Sequence, residues 1–99
     1  MDHSELGNLR LLRDEELKSS VEHLLKDIWS SVLRIQSVSV DDNFIDLGGD
    51  SLVAVRIIIE IQTKLGITIS LANVFDNMTI TSLSKVIGEK ITHSTGDAQ

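Results

Sequence analysis

Residues 46–66 read DLGGDSLVAVRIIIEIQTKLG, and the fold turns on how this stretch is divided. A helix opens at Asp50 or Ser51, either a good capping residue, and runs to about Leu65. Gly66 then occupies the position after the last turn that glycine favours. Gly48 and Gly49 let the backbone turn sharply into the helix. On a helical wheel Ala54, Ile58, Ile61 and Leu65 form a core stripe, while Arg56, Glu60, Thr63 and Lys64 form a solvent face. The last face also offers Arg56–Glu60 and Glu60–Lys64 as i,i+4 pairs.

Four apolar residues fit neither group. Leu52 and Ile59 lie on one flank of the polar face, Val53 and Ile57 on the other. Burying them all requires a helix wrapped on nearly every side, which a chain of 99 residues does not readily provide. Some are therefore expected at the surface, each gaining roughly 1.5–3 kcal/mol when fully covered by a partner. Either the preceding loop covers them through Phe44 and Ile45, or they form a partner surface beside Ser51.

Upstream, Leu17, Val21, Leu24, Leu25, Ile28, Val32 and Leu33 recur at helical spacing, with Trp29 at the border of the stripe. Asp14, Glu15 and Glu16 open this helix, where negative charge suits the dipole. Residues 34–50 form a long connection, and connections of that length in compact domains are usually functional. Phe44, Ile45 and Leu47 should not all stand in water, so the loop is expected to lie back on the core. Downstream, a short helix spans Leu71 to Phe75, and Thr79 caps a last helix carrying Ile80, Leu83, Val86, Ile87 and Ile91. The expected fold is all-α: three main helices and a short third one, with a long loop between the first two. Residues 1–13 read as a flexible leader, 14–91 as the domain and 92–99 as a disordered tail.

Composition limits the chemistry. There is no cysteine, which excludes disulfides, thiolate metal sites and a cysteine nucleophile. The net charge is −6, from 15 acids against 9 Lys and Arg, with no basic stripe to bind nucleic acid. No stretch reads as a signal peptide or membrane span, so a cytoplasmic location and no membrane partner are expected.

Ser51 admits several roles. As a nucleophile it would need a base, an orienter for that base and an oxyanion hole. The letters GDSL also open the nucleophile block of a family of serine hydrolases, but there the serine follows a strand near the start of a larger α/β domain. The bases here are His3, His23 and His93, of which the first and last lie in the tails. A calcium loop beginning at Asp41 fails, because Asp46 stands where glycine is required and Leu52 where glutamate is required. A plain helix cap accounts for the Gly, Asp and Ser without explaining the apolar flank. An attachment site accounts for both: the serine is accessible, and the helix N-terminus favours a phosphate.

FIDLGGDSL followed by a helix resembles the phosphopantetheine attachment motif of acyl and peptidyl carrier proteins. The longer run from Asp42 to Leu52 is most similar to peptidyl carrier domains of nonribosomal peptide synthetases, and the resemblance covers about residues 14 to 91, closing at Asn77 to Leu83. It implies a four-helix carrier bundle, not an enzyme. In that reading a phosphopantetheinyl transferase moves 4′-phosphopantetheine from coenzyme A onto Ser51. An adenylation domain then loads an amino or aryl acid as a thioester, and a condensation, thioesterase or tailoring domain receives it. The resemblance assigns Ser51, Asp50 and Gly49 to the cofactor and Leu52, Val53, Ile57 and Gly48 to partner docking, with Phe44 and Leu47 pinning the loop. No metal site is implied, and the chain is expected to be monomeric. Polyketide, aryl and D-alanyl carriers share the motif. Met78 stands where peptidyl carriers often have proline, which predicts a looser entry to the last helix. An initial Met and short tails suit a free-standing carrier, and an excised domain would read the same. The rival from another class is a non-covalent helical adaptor in which Ser51 is only a cap.

Overall fold

The computed structural model describes residues 13–96, with side chains through residue 92. The expected leader, apart from Arg13, and the last three residues of the expected tail lie outside the described residues. The described chain is all-α: α1 (Asp14–Leu33), α2 (Ser51–Leu65), α3 (Leu71–Asp76) and α4 (Ile80–Gly96), with no strand among the described residues. The backbone of α4 continues to Gly96, past the boundary expected at residue 91.

Each helix is terminated by local chemistry. In α1 the Glu16 carboxylate accepts from the Arg13 amide at 3.2 Å, and Arg34 closes the far end in the left-handed region at φ 60. Gly66 ends α2 in the same region at φ 70. Ser70 and Asn73 exchange side-chain-to-backbone bonds at the start of α3, each 3.0 Å long. Thr79 caps α4 by accepting from the Ser82 amide at 3.1 Å.

Helix α1 packs against both α4 and α2, and α3 bridges α2 and α4. Leu17, Val21, Leu25, Ile28 and Trp29 of α1 meet Ala54, Ile57, Ile61 and Leu65 of α2 and Ile80, Leu83, Ile87 and Ile91 of α4 in one core. Leu24, Val32, Leu33 and Val86, placed on core stripes by periodicity, are only half-buried. The i,i+4 charges on α2 do not pair. The ion pair that forms among the described residues is Lys18–Glu22 in α1, at 4.0 Å.

The inner side of α2 differs from the expected one. Ile57, assigned to docking by resemblance, is fully buried in the core, while Ile58 is only half-buried. The helix is turned so that its buried stripe centres between Ile57 and Leu65. Apolar residues border the polar face of α2 on both flanks, so the pattern leaves a wide apolar arc and does not fix which part of it faces α1.

The long loop lies back on the core as expected, through Phe44 and Val38, which are buried, and Leu47, which is half-buried. Ile45 remains exposed. The loop is also tied to α4. The Phe44 amide donates to the Met78 carbonyl at 2.8 Å, and the Val40 carbonyl accepts from the Thr81 amide at 3.1 Å and its hydroxyl at 3.2 Å. The entry to α4 is therefore held by the loop rather than loose. Among the described residues no helix is long and apolar enough to cross a membrane.

Candidate functional site

The approach to Ser51 is built from residue 39 onward. Ser39 and Asp42 close a turn, the Asp42 carboxylate accepting from the Ser39 amide at 2.9 Å. The Asp41 carboxylate accepts from the Thr81 hydroxyl at 3.4 Å. These acids are engaged in shaping the loop, and among the described residues no group of three or more His, Asp or Glu could hold a metal ion. The Asn43 side chain then accepts from the amides of Ile45 and Asp46, at 2.8 and 3.4 Å, folding the chain back on itself.

Phe44 anchors the next turn. Its ring is fully buried and meets Trp29 edge-on at 5.7 Å and Phe75 at 6.0 Å between ring centroids. Its carbonyl accepts from the Gly49 amide at 3.0 Å, while the Gly48 amide donates to the Ile45 carbonyl at 3.0 Å. The two glycines serve different needs. Gly48 has φ +98, a conformation that side chains resist, with open space where a Cβ would stand. Gly49 is not in that region, but a Cβ there would lie 2.5 Å from ring atoms of Phe44.

Asp50 follows in an extended conformation and caps α2, its carboxylate accepting from the Val53 amide at 2.9 Å. Ser51 is therefore the first residue of the helix and not its cap. Its side chain is exposed and its hydroxyl makes no hydrogen bond to the described residues. The backbone N–H groups of Ser51 and Leu52 also have no acceptor among the described residues, as expected of a first helical turn. A free hydroxyl beside two free amides at the positive end of a helix suits a phosphate ester. No described histidine bonds to Ser51. His23 is exposed on α1, and His3 and the side chain of His93 lie outside the described residues.

The apolar flank survives folding on one side of α2 only. Leu52 is 65% exposed, Ile59 54% and Val55 38%. Their i, i+3, i+7 spacing places them on the side of the helix that carries Ser51. Of the residues assigned to docking by resemblance, Leu52 is on this face, Gly48 is exposed, Val53 is half-buried and Ile57 is in the core. Val55 was missed. Its position between Ser51 and Ile59 on the wheel was the available signal.

Comparison with known proteins agrees with this geometry. A family model described as phosphopantetheine attachment site matches residues 23–87. A linear gramicidin synthase of Brevibacillus parabrevis is 42% identical over 71 residues, covering 72% of this chain and 1% of that protein. The chain thus spans only a small fraction of the synthase it matches. The solved structure of McyG A-PCP complexed with phenylalanyl-adenylate matches with TM-score 0.64 and 35% identity, over 67% of this chain and 10% of that one. The A1-type ACP domain from module 5 of MLSA1 matches with TM-score 0.77 and 29% identity, over 85% and 87% of the two chains.

Proposed function

The chain belongs to the phosphopantetheine attachment-site family, and from that premise we propose that Ser51 is the residue that receives the arm. The observation that carries this is the division of labour at the start of α2: Asp50 caps the helix, so the Ser51 hydroxyl is exposed and unbonded. In the transfer, Ser51 Oγ bonds to the phosphorus that joins the pantetheine half of coenzyme A. The pyrophosphate bond of coenzyme A breaks, 3′,5′-ADP leaves, and the hydroxyl proton passes to a base on the transferase. The free amides of Ser51 and Leu52 stand where they can bond the resulting phosphodiester. The attached group supplies a terminal thiol on a flexible arm, which holds acyl or aminoacyl groups as thioesters and which this cysteine-free chain cannot provide itself.

The role proposed is that of a peptidyl carrier in nonribosomal peptide synthesis, bringing its cargo to partner enzymes rather than catalysing a reaction. Similarity to a gramicidin synthase supports this reading over a polyketide or D-alanyl carrier. Likeness to a structure holding adenylation and peptidyl carrier domains supports an adenylation domain as the loading partner. Condensation, thioesterase or tailoring domains would take the cargo onward. Leu52, Val55 and Ile59 form the docking stripe, each able to lose water to a partner's apolar surface.

Intact-protein mass measured after incubation with coenzyme A and a promiscuous phosphopantetheinyl transferase tests the proposal. The apo chain should gain one phosphopantetheine group, and Ser51→Ala should gain none. No gain by a folded apo sample would refute the carrier role and favour a non-covalent adaptor.

A further inference from the structure

Resting on the reading of Ser51 as the attachment site, we propose that Phe44 is a positioning residue for arm transfer. Its ring is the seat on which Gly49 lies, and it thereby sets where Ser51 is offered to the modifying enzyme. Three atoms at the tip of the ring, Cε1, Cζ and Cε2, would stand 2.5, 2.5 and 2.6 Å from a Cβ at residue 49, closer than real Cβ atoms pack. The ring has no room to swing aside. It is fully buried, flanked edge-on by Trp29 and Phe75, and its backbone is bonded at both polar groups, the amide to Met78 and the carbonyl to Gly49.

Gly49 is thus required for the absence of its side chain and not for backbone freedom, in contrast to Gly48. Restoring ordinary contact beneath a Cβ at residue 49 would displace the chain by about 1 Å. Asp50 and Ser51 follow directly, so the shift falls on the helix cap and the reacting hydroxyl. A displacement of that size costs a well-oriented reaction up to roughly 100-fold in rate.

An alternative role for Gly49 is to let the transferase approach the backbone, and the two roles respond differently to a second substitution. Leucine at position 44 lacks the ring-tip atoms that a Cβ at residue 49 would meet. Arm transfer from coenzyme A, followed by intact mass, should be compared for the wild type, Gly49→Ala, Phe44→Leu and the double variant, well below each melting temperature. Gly49→Ala should lower kcat/KM roughly 10- to 100-fold. Phe44→Leu alone should also lower it, because Gly49 then loses its seat. The double variant should recover most of the loss, because the alanine methyl fills the space left by the ring tip. A double variant as slow as Gly49→Ala would overturn the proposal and assign Gly49 to enzyme access. Gly49→Ala with a lowered melting temperature but wild-type kcat/KM would also overturn it, leaving the contact structural. If Gly49→Ala does not fold, the double variant carries the test: folded and modified supports the seat, folded and unmodified overturns it. A folded apo wild type that takes no arm refutes the attachment reading itself, and with it this inference.

Discussion

The Asp50 carboxylate takes the Val53 amide at 2.9 Å, which leaves the neighbouring Ser51 hydroxyl with nothing to hold in the folded chain. Substituting the two residues should therefore separate stability from function. Asp50→Ala removes the cap and should cost about 1 kcal/mol, read as a lowered urea midpoint with an unchanged slope. Ser51→Ala removes an exposed hydroxyl with no internal bond and should change stability by less than about 0.5 kcal/mol while abolishing arm attachment. A loss of about 1 kcal/mol in Ser51→Ala would mean that the serine caps the helix after all. Sequence alone does not choose between these neighbours, because Asp and Ser are both good caps and differ here only by one residue of register. Backbone geometry makes the choice, with Asp50 extended and Ser51 already helical.

Helix α2 shows the same limit at the level of an element. Its start, its end at Gly66 and its surplus of apolar surface were legible from residues 46–66, as was the burial of Ala54, Ile61 and Leu65. Its rotation was not, since isoleucine at positions 57, 58 and 59 offers the core three nearly equivalent choices. The structure buries Ile57 and exposes Ile59, and each assignment has a consequence. Ile57→Ala should cost about 2–5 kcal/mol by opening a cavity in the core. Leu52→Ser with Ile59→Ser should leave stability nearly unchanged and weaken loading by an adenylation domain, measured as a raised KM for the holo-carrier. If the double variant loads normally, docking lies elsewhere. On α4, Gly88 faces Leu17 with enough room that a Cβ would sit 4.0 Å from Leu17 Cδ2. Gly88→Ala should therefore raise stability by up to about 1 kcal/mol through helix propensity, visible as a higher melting temperature.

Across the molecule, the loop before Ser51 is held by contacts distant in sequence. Phe44 was legible as a residue too apolar for water. That it would sit between Trp29 of α1 and Phe75 of α3, with Val40 bonded to Thr81, was not, because no local pattern encodes a pairing 41 residues apart. The loop has turns of its own at Ser39 and Asn43 and closes on itself from Gly48 to Ile45 and from Gly49 to Phe44. The bonds from Phe44 to Met78 and from Thr81 to Val40, with the burial of Phe44, fix it to the helices. Conversely, the ring of Phe44 completes the core against which Trp29 packs. The indole N–H of Trp29 finds no acceptor among the described residues, so apolar contact holds this cluster together. Loop and helices should therefore unfold as one unit. Trp29 is the single tryptophan of the chain, which makes its fluorescence a reporter of the loop–helix junction. In a urea titration its emission and the far-UV circular dichroism should change with the same midpoint and slope. A fluorescence transition at lower urea would show the loop leaving the core while the helices persist. Ser51 would then be presented by a segment that opens independently of the bundle, rather than by one fixed in place by it.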